Sequence, residues 1–250
     1  MELIQKATLP KAQATIQKSI LKLRREDLYQ KLTPESQTHL LSQSGKGAGA
    51  WLMPPTEHHQ YLLDEEYITL SRLRAFQAVF QPQQHCRHKN HSKECTAGVD
   101  IYGEHALMCG LGGGWLAQHN DMRDQLHKEA SIILERPALL EQTPLAELDD
   151  NRRPDIASVS PQGVTAHLDI AICRPRYTCI EHVNITPGKL ADKIAKQKIN
   201  KHPELNLIPI FFENRGRPDP HVRKYLQLIT QHIHPNRRSP ILSKVWQNLS

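Results

Sequence analysis

Two aspartates separated by a short turn are the residues of this chain best placed to do chemistry. They lie in RRPDIASVSPQGVTAHLDIAIC, where Asp155 follows Pro154 and Asp169 sits inside an alternating apolar run. In AHLDIAIC, Leu168, Ile170 and Ile172 fall on one face of a strand and His167, Asp169, Ala171 and Cys173 on the other. An acid in mid-strand is costly to bury unless it is paired or binds a cation. A turn at SPQG joins this strand to the one that Asp155 opens. The two strands are expected to pair as a hairpin and bring both carboxylates to one face. Two carboxylates, water and phosphate oxygens make a donor set suited to Mg²⁺. Such a site serves phosphodiester hydrolysis, which needs an activated water and positive charge on the pentavalent state.

That chemistry also calls for a cationic side chain, and the lysine-rich segment PGKLADKIAKQKI follows. At about 100° per residue, Lys189, Lys193 and Lys196 share one face of a helix and Lys198 points the opposite way. Lys193 and Lys196 are the expected catalytic lysines. A lysine-rich helix alone also fits a plain solvated face; the two acids upstream favour the catalytic reading. Glu141, in LLEQ, is expected as a third carboxylate, with Glu129 on the preceding helix as the alternative. Pro218-Asp219 reads instead as a helix-capping turn and is set aside.

A second group of residues points to a metal of another kind. Cys86, Cys95, His105 and Cys109 follow the pattern C-x8-C-x9-H-x3-C. His and Cys four apart on a helical turn present two donors to one point, and two upstream cysteines complete a tetrahedral Zn²⁺ site. The surrounding stretch is polar and glycine-rich, so metal binding would supply folding free energy that its small core cannot. Zinc is favoured over scattered buried thiols. The wide first gap leaves room for His85, His88 or His91 to replace one ligand, or for those three to form a solvated basic surface.

The elements that must position these groups follow from periodicity. Residues 10–43 read as helical with a break at Pro34, and SGKGAGAWLMPP as a loop. That loop lacks the Ser or Thr after lysine that a phosphate-cradling loop needs. Residues 64–76 have helical spacing, with Tyr67, Leu70, Leu73 and Phe76 on one face. Residues 120–135 read as a helix capped by Asn120. PALLEQ, DIASV, VTAHLDIAIC and LNLIPIFFEN read as strands. Helices fit at PGKLADKIAKQKI and DPHVRKYLQLITQHI, with a short one near PILSKVWQNL. The expected fold is α/β: a mixed central sheet flanked by helices, preceded by a helical N-terminal region and a small zinc knuckle. The expected divisions are a helical region at 1–80, the knuckle at 81–114, the sheet domain at 115–235 and a tail at 236–250.

The composition bounds the partners. The chain has 250 residues and a formal net charge of +6, with a pI near 9.1 and a mean hydropathy of −0.56. A basic balance favours an anionic partner such as nucleic acid. No stretch is apolar enough to span a membrane, and the first residues lack a signal-peptide core. Five cysteines, an odd number, argue for thiols or metal rather than a disulfide framework. The expectation is an intracellular protein, nuclear if the source is eukaryotic.

Taken in order, these features resemble the C-terminal region of site-specific non-LTR retrotransposon polyproteins. In that family a Cys-Cys-His-Cys zinc knuckle precedes a restriction-like endonuclease of the PD-(D/E)xK class. The resemblance runs from SGKGAGAWL near 44 to FFENRG near 216. The family's Arg-His-Asn element corresponds to QHN here, with Gln118 before His119 and Asn120. Its Pro-Asp and following strand acid correspond to Pro154, Asp155 and Asp169. Ala171 stands where the wider nuclease class has its lysine, two residues after the second acid. The family's lysine comes from the following helix, usually near a Lys-Tyr pair, and DKIAKQKINKH has lysines but no Tyr. The resemblance implies a restriction-endonuclease-like fold and a Mg²⁺-dependent endonuclease that nicks target DNA. Asp155 and Asp169 would hold Mg²⁺, while His119, Asn120 and Lys189 would contact nucleic acid. It further implies DNA, and element RNA, as partners, within a longer reverse transcriptase polyprotein. No Tyr-x-Asp-Asp polymerase motif occurs in these residues. The alternative is a catalytically inactive, zinc-containing, nucleic-acid-binding remnant.

Overall fold

The structure is a computed structural model that describes residues 2–45, 47–52, 61–82, 84–90, 93–140, 154–173, 189–201, 203 and 205–249. Its organising element is the strand that carries Asp169. This strand, β5 (Thr165–Cys173), lies between β4 (Ile156–Val159) and β6 (Leu207–Glu213), with the short β3 (Leu139–Leu140) beyond β4. β3 pairs with β4 and β4 with β5 antiparallel, and β6 is parallel to β5. The sheet is therefore mixed, as the alternating patterns predict. The β4–β5 turn closes through a Gly163 N–H to Ser160 carbonyl bond of 2.9 Å. Gly163 has φ +82°, a region that costs glycine little.

Period-two alternation gives the sheet two apolar faces. Leu168 and Ile170 of β5 join Ile210 and Phe212 of β6 in the larger core. Three helices cover that face: α5 (Gly114–Leu134), α7 (Pro220–Ile229) and α8 (Pro235–Leu249). Leu126, Tyr225 and Val245 are their almost fully buried contributions. Each such side chain stabilises the fold by roughly 1.5–3 kcal/mol. On the opposite face, Cys173 and Phe211 pack against Ala191 and Ala195 of α6 (Lys189–Lys201). Burial, with the Glu213 and Asp219 carboxylates nearby, pushes the Cys173 thiol up to about 12, which makes it an inert packing group. Of the segment read as a tail, 236–250, residues 236–249 lie in α8 and send Val245, Trp246 and Leu249 into the larger core.

Helix ends obey local chemistry, with one correction. Thr33 caps α2 (Pro34–Ser42) through its hydroxyl, and Pro34 occupies the first turn, so the break after α1 (Glu2–Lys31) falls where proline predicts. Asp219 caps α7 by accepting the His221 N–H at 2.7 Å. Asn120, however, caps nothing: α5 begins at Gly114, behind Gly113 at φ +66°. Only the glycine run tolerates that entry, and it adds more than a turn before the point where polar residues suggest a start.

The N-terminal helices remain largely outside the core. α3 (Asp64–Arg74) has no buried residue, although Tyr67, Leu70 and Leu73 share a face. Phe76 lies past its end at φ +53°. There it stacks on Tyr102 with ring centroids 4.2 Å apart, and lies the same 4.2 Å from His39.

Candidate active site and metal centre

The acidic pair is positioned by the β4–β5 register. Ile156 lies opposite Leu168, so one step further Asp155 falls opposite Asp169. The Ile170 N–H donates to Asp155 Oδ2 at 2.6 Å. That bond lies just past the last paired residues, Ile156 and Leu168, and brings the Asp155 carboxylate to the β5 backbone. Both are mostly shielded, with side chains 18% and 19% exposed. Asp155 meets α5, which covers the Leu168 and Ile170 face, while Asp169 meets α6 on the other face.

Each carboxylate has a nitrogen partner. His119, on α5, places Nε2 3.3 Å from Asp155 Oδ2, and its Nδ1 lies 3.3 Å from Asn120 Oδ1. The bond to Asp155 raises the His119 pKa above its ordinary value, against the opposing effect of burial. Asp169 Oδ2 lies 2.7 Å from the Nζ of Lys198, whose side chain is 40% exposed.

Lys198 is not one of the lysines expected from the sequence. Helical counting separates it correctly from Lys193 and Lys196, but the sheet packs against its side of α6. Lys196 bonds Asp192 at 2.9 Å in solvent, and Lys193 is exposed. Lys189 opens the helix, and its side chain lies outside the described residues. The missed signal is the pair Ala191 and Ala195. Small residues four apart mark a face that approaches the sheet closely, and Lys198, one turn on, continues that row.

Glu129, the alternative third acid, is engaged elsewhere. Glu129 is buried and accepts from Gln125 Nε2 at 3.0 Å and Asn248 Nδ2 at 2.6 Å, which ties α5 to α8. Glu141 lies outside the described residues. A cleft of about 480 Å³, lined among others by Gln118, Met122, Ile172 and Arg215, opens on the other side of the sheet from Asp169.

The second site is built on a hairpin and a short helix. Residues 84–99 pair across β1 (Lys89–Asn90) and β2 (Lys93–Glu94), and α4 (Glu104–Met108) follows. Cys86, Cys95, His105 and Cys109 bring their ligand atoms within 4.8 Å of one another. Cys86 Sγ lies 3.6 Å from Cys109 Sγ, and Cys95 Sγ lies 3.4 Å from His105 Nε2. A tetrahedron with zinc–sulfur bonds of about 2.3 Å has sulfur–sulfur edges of roughly 3.8 Å. This Cys₃His group could therefore hold a metal such as zinc. Among the described residues no other group of three or more His, Cys, Asp or Glu converges in this way. His85 faces outward and is exposed, and His91 lies outside the described residues.

Electrostatics favour the ligand state at Cys109. Burial pushes the Cys109 thiol up. Hydrogen bonds from the His88 side chain, the Leu111 and Gly112 backbone and the Cys86 thiol outweigh it and bring the group down to about 6. A metal needs these sulfurs as thiolates. Sequence reasoning missed the residue that orients His105. Asp100 accepts the N–H groups of Tyr102, Glu104 and His105 at 3.0, 3.0 and 2.8 Å. Burial acts to raise its pKa, but those bonds hold it below the ordinary carboxylate value. The signal was an acid five residues before a ligand on a one-turn helix. Arg215, in the loop after β6, bonds Glu104 and docks the knuckle on the sheet domain.

No protein-family model matches this chain, and neither a curated protein nor a solved structure is significantly similar to it. Among the described residues no helix is long and apolar enough to cross a membrane.

Proposed function

We propose that this chain is a retrotransposon-type, restriction-like DNA endonuclease that nicks its target by Mg²⁺-assisted phosphodiester hydrolysis, with a zinc knuckle beside the nuclease. The observation that carries the reading is the Lys198 ammonium 2.7 Å from Asp169 on β5, with Asp155 just past the β4 residue that pairs with Leu168. The reading requires Asp155 and Asp169 to share one cation, and two carboxylates suit a hard dication that keeps several waters. Mg²⁺ held by Asp155 and Asp169 would supply the charge that activates water and stabilises the pentavalent phosphorus. Lys198 stands where a phosphate oxygen at the pair would meet its positive charge. His119 holds the Asp155 carboxylate in place. The formal net charge of +6 and the resemblance to retrotransposon endonuclease regions point to DNA as the substrate. Three thiolates and one imidazole favour zinc at the knuckle.

Purified protein incubated with supercoiled plasmid and Mg²⁺ is expected to produce nicked circles, and Asp169→Ala to abolish them. Unchanged nicking by that variant, or none by the wild type, would sink the reading.

A second reading is a nucleic-acid-binding module without catalysis. It is favoured by the pairing of both carboxylates with nitrogen groups; among the described residues neither belongs to a group of three or more His, Cys, Asp or Glu that could hold a metal. On that reading Asp169→Ala binds DNA as well as the wild type or better, and no nicking accompanies the binding.

A further inference from the structure

The hairpin that carries two of the knuckle ligands also presents a histidine to them. Its ladder continues beyond β1 and β2: Cys95 N–H bonds His88 O at 2.9 Å, Cys86 N–H bonds Ala97 O at 3.0 Å and Val99 N–H bonds Gln84 O at 2.8 Å. His88 is therefore opposite Cys95, and two residues from Cys86 it shares that residue's face. Burial alternates accordingly: His85, Arg87 and Lys89 are exposed, while Cys86 is buried and His88 half-buried.

The ring lies against the loop after Cys109. A Cβ on Gly112 would sit 2.2 Å from His88 Nδ1, so this close approach requires glycine. Nδ1 is buried without a hydrogen-bond partner, which leaves Nε2 as the ring's donor, and the His88 side chain acts on the nearby Cys109 thiol. His88 is not part of the converging ligand group.

We infer that His88 is a positioning residue of the metal centre: from outside the ligand set its Nε2–H donates to the Cys109 thiolate, and Gly112 admits the ring. The inference rests on the Cys₃His metal site proposed above and is independent of the nuclease. Its chemical reason is charge. Three thiolates and a neutral imidazole leave a zinc centre with a net negative charge in a small, weakly apolar module. A charge-assisted N–H bond disperses that charge and fixes the sulfur's direction.

The test is titration of the reduced, metal-free full chain with Co²⁺, followed by its sulfur-to-metal charge-transfer band. His88→Phe keeps a ring and loses the donor. It is expected to weaken binding roughly 10- to 100-fold and to move the band to lower energy, because an unbonded thiolate lone pair lies higher. His88→Gln carries an amide N–H near the Nε2 position and is expected to stay close to wild type in both readouts. Gly112→Ala pushes the ring away and is expected to follow the Phe variant. A Phe variant that matches the wild type overturns the assignment. So does equal weakening in the Phe and Gln variants, since ring shape alone would then explain it. A wild type that takes up no Co²⁺ removes the metal site itself, an outcome distinct from either.

Discussion

At the scale of the residue, the functional proposal turns on which cation faces which carboxylate. Lys198 lies 2.7 Å from Asp169, while Lys196 is bound to Asp192 in solvent. Lys198→Ala is expected to lower the nicking rate by roughly 10²- to 10³-fold, the usual effect of removing a charge-stabilising donor. Lys193→Ala and Lys196→Ala are expected to stay within about threefold of wild type, since exposed lysines stabilise little. A single-turnover plasmid assay separates the three. His119 carries a pH signature. Its pKa is raised in the folded protein by Asp155, so the unfolded state holds its proton less tightly. The pair's stabilisation is complete below the unfolded value of about 6.5 and is lost as pH rises through the raised folded value. Urea midpoints of wild type and His119→Ala are therefore expected to differ at pH 6, by on the order of 1 kcal/mol, and to draw together by pH 9. A gap that widens with pH would contradict this assignment.

At the scale of the element, α6 is a positioning device. Ala191 and Ala195 let its backbone lie close to the sheet beside Cys173 and Phe211, and that closeness is what allows a lysine on the same row to reach Asp169. Ala195→Leu is expected to destabilise the fold by about 1–3 kcal/mol through overpacking. It should also depress nicking more than its stability loss explains, because α6 lifts and carries Lys198 with it. Denaturation midpoints and nicking rates measured on the same preparation test the two effects separately. The hairpin is the second such element. Its alternation sorts Cys86 and His88 inward and Arg87 and Lys89 outward, so one face builds a metal centre while the other remains basic.

At the scale of the whole molecule, two units are stabilised by different means. The sheet domain has a large apolar core between β4–β6 and three helices. The knuckle has few buried apolar groups and relies on its Cys₃His cluster. Chelation is expected to abolish hydrogen-exchange protection across residues 84–109 while β4, β5 and β6 retain theirs. The junction between knuckle, α2 and α3 has its own pH response. Burial, then the Arg215 charge, lowers His39 to about 4, so the folded junction favours the neutral ring. Its contribution is present above about 6.5 and is lost as pH falls toward that folded value, opposite in sign to His119. Protection around 39–42 and 73–76 should accordingly weaken at pH 5 relative to pH 7.

The sequence by itself determined what local chemistry can write. Alternation marked β5 and put Asp169 on the face opposite Leu168 and Ile170, because side-chain direction in a strand has a period of two. Thr33, Pro34 and Asp219 announced their helix ends, because caps satisfy neighbouring backbone groups. The spacing of Cys86, Cys95, His105 and Cys109 announced a metal site. Tertiary structure decided the rest. A helical wheel ranks lysines by relative angle but cannot say which angle meets a sheet, so the Lys198–Asp169 contact was decided only once α6 had docked. The start of α5 at Gly114, the turning of Glu129 toward Asn248 and the seating of His88 over Gly112 have the same cause. Each depends on what another element brings alongside, and a distance between elements far apart in the chain is set by packing.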